Sequence, residues 1–115
     1  MQFDINKTAA APTCATQPTE LRLSADEAAR LATLAKALGH PVRVQIVELL
    51  SRYGGEVCVC DIERHFDLAQ PTISHHLRVL REAGIIDGEQ RGLWVHYRVA
   101  PETLEPLRRL LLGLQ

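Results

Sequence analysis

Two cysteines one residue apart, Cys58 and Cys60 in the stretch VCVCDI, are the side chains best suited to chemistry in this 115-residue chain. Thiolates are soft donors, so a close pair suits a soft metal or metalloid, a redox couple, or simply packing, a common fate of free cysteine. Helical geometry constrains the pair. At about 100° per residue, positions i and i+2 lie about 200° apart, on nearly opposite faces. Two sulfurs so placed cannot share one ion unless the backbone there is frayed or extended. Drawing both onto one ion would therefore distort the start of a helix, which is the differential affinity a switch requires. Their place at a helix start predicts lowered thiol pKa values through the helix dipole. The only other cysteine, Cys14, lies in a stretch rich in Ala, Thr, Pro and Gln and could supply a third sulfur, from its own or a partner subunit. Three cysteines, an odd count, do not describe a disulfide framework.

The second chemical feature begins ten residues further on. Pro71 is placed where a helix should open, because a missing N–H costs nothing in a first turn. Ile73, Leu77 and Leu80 follow at i, i+4 and i+7 and share one face, while Thr72, Ser74, His75, Arg78 and Arg81 point elsewhere. Gly84 supplies the C-terminal stop. Gln70 to Arg81 holds two arginines, two histidines and no carboxylate. An apolar stripe beneath such a face is what a helix that meets bases and phosphates needs; an ordinary amphipathic surface helix would carry acids as well.

The elements that position these residues can be read along the chain. Residues 1–20 have no periodicity and form a flexible N-terminal arm; residues 21–115 form the folded domain. Ser24 and Glu27 make a capping box ahead of Leu31, Leu34, Ala35 and Leu38. Pro41 opens a helix that buries Val42, Ile46, Leu49, Leu50 and Tyr53, and Gly54-Gly55 stops it. A short helix covers about Val59 to Phe66, and the next spans about Pro71 to Ala83. The period then changes from 3.6 to 2. Leu93, Val95, Tyr97 and Val99 alternate with Trp94, His96 and Arg98 as a half-buried strand, Ile85 and Ile86 begin its partner, and Glu89 to Gly92 makes the connecting turn. Helix–turn–helix followed by a β-hairpin is a winged-helix arrangement: mainly α with a small hairpin. The hairpin tip carries Gln90 and Arg91, placed to reach a phosphate or a minor groove. The tail is helical with Leu104, Leu107, Leu111 and Leu114 on one face, Leu110 beside it, and Pro106 inside the run, to kink the helix or mark where it becomes regular. So many leucines exceed what a small core needs, so the last helix, with the first, is expected to make a homodimer interface.

Composition limits the alternatives. Hydrophobic residues at 46% exclude wholesale disorder, and aromatics at only 4% leave a core of Leu, Val, Ile and Ala that favours helices. No apolar run approaches the roughly 20 residues of a membrane span, and the N-terminus lacks a secretory signal, so a cytoplasmic protein is expected. A net charge of −1 argues against a non-specific polycation. The charge is uneven, with seven Lys/Arg against nine Asp/Glu in residues 1–69 and six against five thereafter, so a DNA binder of this composition must concentrate cations at its contact surface.

In ALGHPVRVQIVELL, VCVCDI, QPTISHHLRVLREAGII and GLWVHYRV, spanning about Leu31 to Val99, the chain closely resembles the ArsR–SmtB family of winged-helix metal-responsive repressors. The resemblance implies a homodimer that represses a metal-resistance operon and leaves its operator DNA when metal binds. It implies Cys58 and Cys60 as ligands, like the thiolate site of the arsenic- and cadmium/lead-responsive branches. Glu63 stands where the arsenic branch has a third cysteine, so Cys14 is the candidate third sulfur. Three soft ligands suit As(III) or Sb(III), whereas Cd(II) or Pb(II), the nearest alternative, would usually take four. The zinc-sensing site is expected to be absent, since the last helix has Glu102 and Glu105 but no histidine. By the same resemblance, DNA contact falls on Gln70, Thr72, Ser74, His75, Arg78 and Arg91, with His76 packed against the domain. Ala69 replaces the serine many relatives carry, removing an N-cap hydroxyl at a cost of about 1 kcal/mol. A redox-responsive repressor ranks lower, because cysteines spaced i, i+2 make a strained disulfide. An enzyme using Cys58 or Cys60 with His65 as base lacks a phosphate loop, an oxyanion signature or a cleft-sized second domain.

Overall fold

The capping box forms as its residues dictate. In the computed structural model, which describes residues 19–53 and 56–114, the Ser24 hydroxyl accepts from Glu27 N–H at 3.1 Å and the Glu27 carboxylate accepts from Ser24 N–H at 2.9 Å. Cys14, the Gly54-Gly55 stop and all but the last two residues of the expected arm lie outside the described residues. Helix α1 (Ala25–Ala37) buries Leu31, Leu34 and Ala37; Ala35, expected on that face, is exposed, because Ala37 completes the i, i+3, i+6 row facing the core. Helix α2 (Pro41–Arg52) buries Ile46, Leu49 and Leu50. Tyr53, expected on the buried face, is instead 60% exposed: it sits at the C-cap, where the helical period no longer sets its direction, with the Arg52 guanidinium 5.6 Å from its ring.

The next stretch differs from its helical expectation. Val57–Cys58 forms a two-residue strand, β1, and α3 (Val59–Arg64) begins only after it, ending two residues before the expected Phe66. Helix α4 (Gln70–Glu82) buries Ile73, His76, Leu77 and Leu80. It closes in a Schellman motif: Gly84 N–H donates to Arg81 C=O and Ile85 N–H to Leu80 C=O, while Gly84 adopts φ +77°. That left-handed residue turns the chain into β2 (Ile86–Arg91), which pairs with β3 (Trp94–Val99). The expected four-residue turn at Glu89 to Gly92 is tighter: β2 continues through Arg91, and Gly92 and Leu93 alone make the turn. Gly92, at φ +62°, is the only residue there in the left-handed region. Leu93, expected in the strand, is therefore a turn residue.

The three strands lie antiparallel in the order β1-β3-β2, with Val57 opposite Tyr97 and Cys58 opposite His96. One sheet face, bearing Val57, Tyr97 and Ile86, closes over a core in which Ile46, Leu50, Ile62, Ile73, Leu80, Ile85 and Ile86 are essentially solvent-free. Each such side chain contributes about 1.5–3 kcal/mol by leaving water, and together they clamp α2, α3, α4 and the hairpin to one another. Helix α5 (Pro101–Leu112) runs through Pro106 and packs on α1. It has no fully buried residue: Leu104 and Leu107 lean on the core, while Leu110, Leu111, Leu112 and Leu114 face outward. Between α1 and α5 lies an open, mostly apolar groove of about 900 Å³, lined by Leu23, Leu31, Leu34, Pro106 and Leu110 among others.

Candidate nucleic-acid interface and thiol pair

Helix α4 separates its two kinds of residue as its period requires. Gln70, Thr72, Ser74, His75 and Arg78 are all exposed. At about 100° per residue they sweep an arc of about 200°, and Ile73, His76, Leu77 and Leu80 fill the rest. Among the described residues Arg78 makes no ion pair, so its guanidinium projects unopposed. Ala69 is the N-cap and offers no side-chain bond, as its residue type dictates; its carbonyl accepts from Thr72 and Ile73 N–H at 2.9 and 3.2 Å. With no acid in the first turn, this end of the helix is left electropositive.

His76 is 5% exposed, as expected for a residue packed on the domain. Its ring lies 4.3 Å from that of His40, and His40 caps α2: its Nδ1 accepts from Val42 N–H at 3.1 Å. The histidine pair thus joins the start of α2 to α4, a link the sequence did not reveal because N-capping by an imidazole has no spacing signature. Burial, reinforced by the neighbouring His40, Arg43 and His75, holds the His76 pKa below its ordinary value. The unfolded chain takes up that proton near the ordinary pH of about 6.5, while the folded chain resists it. Stability from this group is present above about pH 6.5 and is lost as pH falls from there toward the lower folded value. The midpoint of urea denaturation should therefore drop on acidification, and drop less in His76→Phe. An equal drop in that variant would assign the acid sensitivity elsewhere.

The wing residue Arg91 is half exposed but already engaged. Its guanidinium pairs with Glu56, just ahead of β1, and lies 3.5 Å from the Glu89 carboxylate. Arg98 pairs with Asp87 at 3.3 Å. These residues and Cys58 lie on the outer face of the sheet, opposite the face bearing Val57 and Tyr97, because alternate strand residues share a face. Glu56 carried no signal in the sequence. Its partner is 35 residues away.

Cys58 and Cys60 are half-buried free thiols. Cys58 is not inside the helix. It is the N-cap of α3, extended at φ −62° and ψ 141°, and its Sγ accepts from Cys60 N–H at 3.4 Å. The extended backbone that a shared ion requires is therefore present, and the conflict expected for two helical positions does not arise. The Cys60 thiol is shifted up rather than down: its hydrogen bond with the Cys58 thiol comes first, then burial, then the charges of Cys58 and Asp61. In a helix of six residues the dipole is outweighed by these close neighbours. Among the described residues no group of three or more His, Cys, Asp or Glu side chains is placed to hold a metal. No helix among them is long and apolar enough to cross a membrane.

Known proteins place the same architecture. The family described as bacterial regulatory protein, arsR family, matches residues 40–87. The arsenical resistance operon repressor of Escherichia coli is 48% identical over 68 residues, covering 59% of this chain and 57% of that protein. The Pseudomonas putida arsenic resistance transcriptional regulator ArsR1 is 40% identical, over 69% of this chain and 61% of its own length. The chain thus spans less than two thirds of these two relatives. It covers 76% of the Staphylococcus xylosus arsenical resistance operon repressor, at 36% identity over 70% of this chain. A homodimeric winged helix-turn-helix DNA-binding domain from Mycobacterium bovis, a possible ArsR-family transcriptional regulator, superposes with a TM-score of 0.63 at 27% identity, covering 83% of this chain and 86% of that one. With its helix–turn–helix backed by a hairpin and these matches across the same residues, the chain belongs to the ArsR family of bacterial regulatory proteins, DNA-binding winged-helix regulators that are not enzymes.

Proposed function

We propose that the protein is a homodimeric transcriptional repressor, acting in the cytoplasm, that leaves its operator when As(III) or Sb(III) binds through cysteine thiolates. The observation that carries the inducer reading is the thiol pair at the junction of β1 and α3, with Cys58 serving at once as strand residue and helix cap. Gln70, Thr72, Ser74, His75 and Arg78 form the base- and phosphate-contacting face, and Arg91 meets a phosphate by exchanging its carboxylate partners. The outward leucines of α5 and the groove beside α1 form the dimer interface, which sets two recognition helices about one DNA turn apart. Homodimerisation of the Mycobacterium bovis domain supports this reading.

Coupling follows from the double role of Cys58. Drawing its sulfur onto an ion removes the acceptor from Cys60 N–H and pulls on β1, which is hydrogen-bonded to β3 of the wing. It also disturbs α3, whose Ile62 packs in the same core as Ile73 and Leu80 of the recognition helix. One ligand event thus biases both DNA-contacting elements. Cys14 is proposed as the third sulfur, with Cys58 and Cys60.

The test is a DNA-release titration of wild type and Cys14→Ser with As(III), Sb(III), Cd(II), Pb(II) and Zn(II). Release at the lowest concentrations by As(III) or Sb(III), weakened in Cys14→Ser, is expected. Release led by Cd(II) or Pb(II) would replace the inducer, and release only by peroxide or persulfide would replace the metal reading with a redox one.

A further inference from the structure

We propose that Leu93 and Trp94, at the tip of the wing, form an apolar wedge that enters the minor groove of the bound duplex and bends it. This rests on the operator-binding reading above and says how the wing engages the DNA. The tip is the two-residue turn Gly92-Leu93. Leu93 is 89% exposed and Trp94 beside it 52% exposed, and nothing lies within 4 Å of where a side chain at Gly92 would project. Among the described residues, nothing covers this end of the hairpin.

The polar groups around the tip are already engaged, within the wing or by Glu56 just ahead of β1. Arg91 is paired with Glu56 and Glu89, Arg98 with Asp87, and the Gln90 side-chain amide donates to Gly92 C=O at 2.9 Å. Between Ile86 and Val99 the two arginines are balanced by Asp87 and Glu89. A wing of zero net charge gains from phosphates only where Arg91 exchanges its carboxylates, and its foremost groups are an isobutyl and an indole. Apolar side chains that unstack a base step from the minor groove, by contrast, need neither cations nor hydrogen bonds, and they kink the duplex away from themselves. A second copy of the chain is a poorer occupant, because the outward leucines of α5 lie on a different element. The hairpin instead follows directly on the recognition helix, through Gly84 and Ile85, and β2 packs against it, so the wing continues the DNA-reading surface.

The probe is the tightest-binding duplex selected by the wild-type protein from a randomised pool. Affinity is measured across a range of KCl concentrations, bending by gel permutation, and insertion by the emission of Trp94, the only tryptophan in the chain. Leu93→Ala should lower affinity by about tenfold or more, the scale of returning one leucine to water, with an unchanged salt slope and a smaller bend. Leu93→Lys should also bend less, while its salt slope steepens by about one phosphate contact. Trp94 emission should change on binding. An affinity and bend indifferent to Leu93→Ala would overturn the wedge and leave the repressor standing. A pool from which the wild type enriches no duplex would overturn the operator reading, and the wedge with it.

Discussion

Cys58→Ser and Cys60→Ser should bind operator DNA as wild type does, and As(III) should no longer release either of them. The first half of that expectation comes from the cap. Cys58 stabilises α3 by accepting the Cys60 N–H through its side chain, and a serine hydroxyl is among the best groups for that task. The exchange keeps the extended backbone, the two ladder positions opposite Tyr97 and His96, and the packing of Ile62 beneath the recognition helix. Cys60 lies half-buried in the first turn and loses only the size difference between sulfur and oxygen. The second half comes from donor chemistry, since a neutral hydroxyl does not replace a thiolate toward a soft centre. The check pairs a release titration with the near-ultraviolet absorption of the thiolate complex. Weakened operator binding in the metal-free variants would instead assign the cysteines to packing.

Arg78→Ala should weaken operator binding severely while the inducer binds as before. Arg78 lies in the middle of the exposed arc of α4, and among the described residues no carboxylate competes for it. An arginine that reaches a base edge or phosphate is worth about 1–3 kcal/mol. A homodimer presents two copies, so the loss is about 2–6 kcal/mol for the complex when the half-sites act independently. Competition against random DNA separates the possibilities. Reduced discrimination marks a base contact, whereas a uniform loss with a shallower salt slope marks a phosphate contact. Unchanged operator affinity would remove Arg78 from the interface. Arg78→Ala does not touch the core, so its thermal unfolding should remain at the wild-type midpoint.

Features that depend on neighbours three or four residues apart were legible in the sequence. The Ser24–Glu27 box, the Ile73, Leu77 and Leu80 stripe and the stop at Gly84 all follow from helix geometry and local hydrogen bonding, and the family resemblance added the missing cap at Ala69 and the packing of His76. The winged order of helices and hairpin was legible as well, because a change of period from 3.6 to 2 is visible in one strand as long as Trp94–Val99. Features that depend on chain closure were not legible. A two-residue strand has no period, so Val57–Cys58 became a strand only when folding brought Tyr97 and His96 beside it. That pairing made Cys58 a cap rather than a helical residue and set its thiol against that of Cys60. It raised the Cys60 pKa where the helix dipole alone would have lowered it. The same closure brought Glu56 to Arg91 and occupied the cation expected at the wing tip, and the tight Gly92-Leu93 turn left the leucine as the foremost group. By itself the sequence determined which chemistries were present, thiolates and a cationic helix. Their geometry was decided by the tertiary structure, because contacts between residues some 35 to 40 positions apart form only when the whole core excludes water.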